Sequence, residues 1–203
     1  MKKEKVKALW NKILPFTFLN SLGMGLLKII IAIITRSLGL YISSLYNIII
    51  SITKKNIFSK KESSIYSKYI KTGVFIIIAS ILYINYSIAV MKLHINSSYH
   101  MYVAILIATV TFTDITIATI GIIKAKKKND LETEILKYIN LSTALISLSL
   151  TQTAILSFTK KGQDMSNWNG IGGIVIGSLV CIIGMYMAVN GNIKMINENI
   201  KSK

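Results

Sequence analysis

The sequence predicts an all-α fold, a polytopic membrane protein of six transmembrane helices with both termini cytoplasmic. Three observations predict it. The chain has 203 residues, 52% hydrophobic and only 16% charged, against about 25% charged in soluble domains. Its apolar residues fall in blocks of roughly twenty, the length that crosses a hydrocarbon layer about 30 Å thick. Lysine-rich breaks separate those blocks, and one Pro is present in the whole chain.

The stretch from Leu26 to Ile52, LLKIIIAIITRSLGLYISSLYNIIISI, sets the pattern. Two long apolar runs flank Thr35, Arg36 and Ser37 with no room for a loop. Hydrocarbon offers no water to backbone amides, so each run must be helical and the polar triplet forms the tight outer turn of a hairpin. Helices are expected at about 14–34, 38–53, 70–91, 101–123, 133–158 and 170–191. The second is short for a span and is expected to extend into the basic segment after it. Residues 1–203 form a single transmembrane domain, and no cytoplasmic C-terminal domain is expected. The basic N-terminus leads into an apolar stretch too long for a secretory signal and without a small-residue cleavage site.

Charge gives the orientation. With the N-terminus inside, the segments 2–12, 54–71, 124–137 and 194–203 hold 19 of the 24 basic residues. Only Arg36, Lys92, Lys160 and Lys161 lie outside, and Lys28 is within a span. That bias is the positive-inside pattern. The formal charge of +16 is therefore a topology signal, with the lipid bilayer as partner and no nucleic acid. The localisation expected is the cell membrane, multi-pass. The basic segments from Lys54 to Lys71 and Lys124 to Lys128 read either as solvated inner loops or as surfaces for anionic headgroups or an acidic partner.

Enzymatic chemistry has no support. Cys181 is the single cysteine, and no nucleophile with its base, phosphate-cradling loop or metalloprotease motif is present. His94 and His100, six residues apart in HINSSYH, are in principle a surface metal pair, but no carboxylate or thiolate accompanies them.

Glycines collect in the last helix. Gly173 and Gly177 form a small-xxx-small pair and Gly184 recurs a heptad later, so one face can approach another backbone closely, within the bundle or across a dimer. Ionisable residues inside a span are functional candidates by default. Asp114, in VTFTDITIAT, has Thr111 and Thr113 beside it and reads as a cation or proton site, or as a packing residue satisfied by hydroxyls. By a rise of about 1.5 Å per residue, Lys28 lies some 12 Å and Asp114 about 20 Å below the outer ends of their helices, within reach of a paired contact. Asn20, Asn47, Asn85, Asn140 and Gln152 read as interhelical hydrogen-bonding glue.

The opening hairpin resembles the first two helices of the cation diffusion facilitator (cation efflux) family. Asn20, Lys28, Thr35, Ser37, Leu38 and Leu40 fall in step with its N, LLxLLK, TGS and LxLLADALHSLSD pattern. SNWNGIGGIVIGSLVCIIGMYMAVNGN looks like its final helix, with Trp168, Ile171, Ile174, Ile176 and Gly184 in register. The resemblance implies a cation-efflux-like bundle, a dimer, and proton-coupled antiport of a divalent cation held tetrahedrally by His and Asp pairs on helices 2 and 5. In step with those pairs this chain has Tyr46 and Ile50, and Lys137 and Leu141 or, shifted by one, Tyr138 and Ser142; Asn169 stands where the family has an aspartate. The usual zinc ligands are thus absent, and a divalent cation has no ligand set in the motif. A rebuilt site would draw on Asp114, Lys28, Tyr46, Asn47, Thr111 and Thr113.

Two functions are therefore expected from the residues: a cation/proton antiporter with a degenerate or rebuilt site, or a non-transporting membrane subunit, sensor or immunity-type protein acting through a partner, as a homodimer or hetero-oligomer. If Lys28 and Asp114 pair, the exchange of Asp114→Lys with Lys28→Asp restores the membrane accumulation that either single substitution removes; no rescue in a quantitative immunoblot of membranes rules the pair out.

Overall fold

The computed structural model describes residues 25–34, 38–58, 64–97, 99–160 and 162–201, together with Leu19, Leu22 and Gly23. Among them the secondary structure is helical: α1 (Gly25–Ile34), α2 (Leu38–Phe58), α3 (Ile65–Lys92), α4 (Met101–Lys127), α5 (Leu131–Thr159) and α6 (Ser166–Lys201). The turn expected at Thr35 to Ser37, and Asn20, lie outside the described residues. The chain divides into two compact units, Met1–Lys61 and Glu62–Lys203.

In the first unit α1 and α2 form an antiparallel hairpin. A Cβ on Gly25 would lie 3.1 Å from Ile48 Cγ1 and 3.5 Å from the Ser44 carbonyl, and Lys28 Nζ donates to Ser43 Oγ at 3.2 Å. The buried stripe of α2 runs through Leu40, Ser43, Ser44, Asn47, Ile50, Ser51 and Lys54, at helical spacing. Ser44 and Ser51 return their hydroxyls to the Tyr41 and Asn47 carbonyls. Leu38, Tyr41, Leu45, Ile49 and Ile52 are exposed, so the helix turns small polar residues inward and aliphatic ones outward, as hydrocarbon requires.

In the second unit α3 packs along α6, α4 along α5, and α5 joins the pairs through α6, with a lesser contact to α3. All four are long and apolar enough to cross a membrane, whereas among the described residues the apolar parts of α1 and α2, Gly25–Ile34 and Leu38–Ile52, are shorter than 18 residues. Their ends run past the expected limits: α3 begins at Ile65 rather than 70, α4 reaches Lys127 rather than 123, and α6 reaches Lys201 rather than 191. Hydropathy marks where hydrocarbon ends, while backbone hydrogen bonding continues into polar residues that favour helix. At about 1.5 Å per residue a 36-residue α6 is roughly 54 Å long, well beyond a 30 Å core.

The α3–α6 contact is antiparallel and glycine-lined. A Cβ on Gly73 would stand 2.7 Å from the Gly184 carbonyl and the Ala188 amide, and one on Gly184 would stand 2.8 Å from the Gly73 carbonyl. Gly177 faces Ile84, Gly173 faces Ser87 and Gly191 faces Ile70. These α6 glycines, 173, 177, 184 and 191, recur at intervals of four, seven and seven residues, the spacing that keeps one helix face on a neighbour. Core hydroxyls are satisfied locally, Ser80, Ser87 and Ser142 donating to carbonyls three or four residues earlier, and Thr151 Oγ1 donates to Thr111 Oγ1 across α4 and α5. The exterior carries Ile78, Leu82, Phe112, Ile117, Val175, Leu179, Ile182 and Val189, far more exposed apolar surface than a soluble protein tolerates.

Short connections fix the helix ends. Asn129 takes φ 51° and Asp130 caps α5, accepting from the Thr133 amide at 3.1 Å and its hydroxyl at 2.6 Å. At the other end Asp164 accepts from the Ser166 amide at 2.9 Å, and His94 Nδ1 lies 2.7 Å from its second oxygen. The Ser166 hydroxyl and amide, with His94 and Asn96, hold the Asp164 carboxyl well below the usual carboxylate range. The sign follows: this tie is fully present above pH 3.8, the ordinary value, and is lost as pH falls below it.

The closeness of α3 and α6 has a direct consequence. Gly73→Val or Gly184→Val costs about 1–3 kcal/mol or more through overpacking, read as a lower melting temperature in detergent. Gly23→Ala, with nothing within 4 Å of its Cβ among the described residues, changes stability by no more than about 1 kcal/mol.

Candidate functional site: a charged, tyrosine-lined cavity

At the lysine-rich end of the second unit, the first turns of α3 and α5 meet the last turn of α4 and the C-terminal half of α6. Four tyrosines, two lysines and one carboxylate come together there. Glu134 is 1% exposed; Tyr69 Oη donates to its Oε1 at 2.9 Å and Lys194 Nζ lies 3.6 Å from its Oε2. Lys194 also sits 5.5 Å from the centre of the Tyr69 ring, so one cation is held by a carboxylate and an aromatic face together.

The second cation is held differently. Lys126 Nζ donates to Tyr186 Oη at 3.1 Å and lies 4.9 Å and 5.7 Å from the Tyr186 and Tyr138 ring centres. Tyr138 packs edge-on against Tyr69 at 6.5 Å and tilted against Tyr186 at 5.8 Å, joining the two halves through their rings. Asn190 Nδ2 approaches Tyr186 Oη at 3.5 Å. A cavity of about 450 Å³ opens on this cluster, lined by Tyr66, Lys126, Glu134, Tyr186, Asn190 and Lys194 among others.

The electrostatics follow from the inventory. Lys194 neutralises Glu134, whereas the carboxylates among the described residues make no ion pair with Lys126. The cavity therefore carries a net positive charge, with hydroxyl and amide groups around it. That arrangement suits an anionic group, and lysine serves such a group as a point charge.

The residues singled out in the sequence lie elsewhere. Thr111 is buried and bonded to Thr151, whereas Thr113 and Asp114 are exposed on α4, and Thr113 returns its hydroxyl to the Thr109 carbonyl. Lys28 is engaged with Ser43. Tyr46 and Asn47 are buried on α2, the Tyr46 hydroxyl without a hydrogen-bond partner among the described residues. Gly173, Gly177 and Gly184 face α3 of the same chain. At the positions in step with the cation-efflux ligands, Tyr138 belongs to the aromatic cluster, the Lys137 stem covers Gly121, and Ser142 donates to the Tyr138 carbonyl. His94 is tied to Asp164 and His100 stacks on Tyr102. Among the described residues no three His, Cys, Asp or Glu side chains converge on a metal position.

Glu134 lies in the first turn of a helix, where an acidic residue ordinarily serves the macrodipole, so its position alone does not mark it as a site residue. Its signal is Tyr138 four residues on, which places carboxylate and phenol on one face. No family model matches the sequence, and no curated protein matches it.

The carboxylate and its phenol act as one unit. Tyr69→Phe costs about 1.5–3 kcal/mol, the worth of a hydrogen bond to a charged acceptor. In a denaturation cycle with Glu134→Gln the two substitutions are non-additive by at least 0.5 kcal/mol.

Proposed function

We propose that this chain is a multi-pass protein of the cell membrane, crossing it six times with both termini cytoplasmic, that works by recognition as a non-transporting sensor or subunit. Its cavity at the inner face takes an anionic group, either the headgroup of an acidic phospholipid or a phosphorylated solute. The observation that carries this reading is Lys126, held against two tyrosines beside a Glu134 already neutralised by Lys194. The excess of lysine at this end supports a cytoplasmic location for it, on the leaflet where anionic lipid is concentrated.

A second reading, cation/proton antiport, is favoured by Asp114, an exposed carboxylate within the α4 span, and by the resemblance of the first and last helices to cation efflux proteins. It requires a site other than the His and Asp tetrad, because Tyr46, Ile50, Tyr138 and Ser142 do not bind zinc.

The two readings separate in one preparation. Purified full-length protein in nanodiscs retains phosphatidylglycerol, or binds a phosphate monoester, at least fivefold more tightly than neutral phosphatidylcholine, and Lys126→Gln abolishes that preference; equal affinity for both overturns the recognition reading. In liposomes under a proton gradient, zinc, manganese, cobalt and iron give no flux above empty vesicles. A flux that disappears with Asp114→Asn replaces recognition with antiport.

A further inference from the structure

The last helix carries two apolar faces, and the second unit uses one of them. Val180, Gly184, Met187 and Gly191 are buried within it. On the other side of α6, Ile182, Tyr186, Val189, Ile193, Ile196 and Ile200 are all exposed. Their intervals of four, three, four, three and four residues are the 3.5-residue period of a coiled-coil ridge. We infer that this ridge pairs with the same ridge of a second copy of the chain, the two α6 helices running parallel past the bilayer surface. The inference does not depend on the function proposed for the lysine-rich cavity.

Exposed aliphatic side chains are ordinary where a span faces lipid, so the weight falls on the last turns of α6. Lys126 marks the polar boundary at the end of α4, and its Nζ bonds Tyr186 Oη. At about 1.5 Å per residue, Ile193, Ile196 and Ile200 stand roughly 10, 15 and 21 Å further along α6. The polar headgroup layer on one side of a bilayer is only about 5–8 Å deep. Isoleucines that are 51%, 54% and 67% exposed therefore reach past hydrocarbon into water. There, unlike in lipid, covering them is favourable in itself. The end of α4 differs, exposing Lys124, Lys126 and Lys127 instead.

The shape and the flanks of the ridge name its occupant. Ser166–Lys201 is one unbroken helix without a Pro, so its last turns continue the line of the span and do not lie down on the headgroups. Two copies inserted in the same orientation present parallel α6 helices about a two-fold axis, and each ridge residue meets its own counterpart. With Ile193 and Ile200 at heptad position a and Ile196 at d, the flanking e and g positions 190, 192 and 197 are all Asn. Asn192 of one helix then falls opposite Asn197 of the other, and the symmetry makes this pair twice. Asn192 gives one N–H to the Ala188 carbonyl at 3.1 Å, which leaves its oxygen to accept from the second amide.

Charge points the same way. A chain of formal charge +16 repels its own copies over much of its polar surface. Positions 190, 192 and 197 carry no charge, Lys194 is turned inward to Glu134, and Glu198 lies across the helix from the ridge by its spacing. The flank therefore suits an identical helix and offers nothing to a strongly acidic or basic partner.

Single cysteines test this in full-length protein, in native membranes and a Cys181→Ser background. Under mild oxidation Ile196→Cys forms a disulfide-linked dimer at least fivefold more than Glu198→Cys, and Ile193→Cys follows Ile196→Cys. In mild detergent, mass photometry reads the wild type as a dimer. Ile193→Glu combined with Ile196→Glu, both at exposed positions, raises its dissociation constant at least tenfold and elutes as a monodisperse monomer. A monomeric wild type, equal cross-linking at 196 and 198, or capture of Ile196→Cys in a species of any other mass overturns the proposal. So does a double variant as dimeric as the wild type.

Discussion

The close approach of α3 and α6 is the constraint on which the second unit depends. Lipid tails are as apolar as leucine side chains, so burying aliphatic surface gives two helices little reason to associate in a bilayer. Backbone proximity gives dispersion and dipolar contact instead, and it requires that no side chain intervene. Gly73 and Gly184 present carbonyls to one another at distances that any Cβ would violate. Because α6 also carries the contact to α5, and α5 the contact to α4, the placement of all four helices is referred to this one seam.

That seam also explains where the chemistry sits. Along its middle, hydroxyls of Ser80 and Ser87 close on their own helices and glycines fill the interface, leaving the core without charge to offer. At both ends the helices diverge into connections and longer side chains, and a cavity appears at each. The lysine-rich end collects Glu134, Lys126, Lys194 and tyrosine rings. The other end collects Asp164, His94, Asn96 and Asn169. One cavity is lined by lysines and tyrosines around a paired carboxylate, while the other is lined by asparagines, a carboxylate and a lysine.

The sequence made the spans legible because hydrocarbon imposes a simple rule on composition. Blocks of about twenty apolar residues and lysine clusters between them located α3 to α6 within about five residues at each end, except that α6 runs ten residues further, to Lys201. The glycines at 173, 177 and 184 marked one face of α6 by spacing alone. The candidate site was less legible. Asp114 drew attention as a carboxylate inside a span, but it is exposed, and Thr111 turns to α5 while Thr113 does not. Glu134 looked like an ordinary first-turn acid, and neither Tyr69, 65 residues earlier, nor Lys194, 60 residues later, carries a local sign of meeting it.

Composition and periodicity, which are local properties, therefore determined a membrane-embedded helical protein, its approximate spans and a glycine face on its last helix. Which helix that face meets and which carboxylate is buried against which cation are properties of pairs far apart in the chain. They are decided only when helix packing sets side chains from different elements within about 3 Å of each other, the range in which hydrogen bonds form. The seam of α3 on α6 does that here, drawing Tyr69 and Lys194 to Glu134 at one end and aligning Asp164 with His94 at the other.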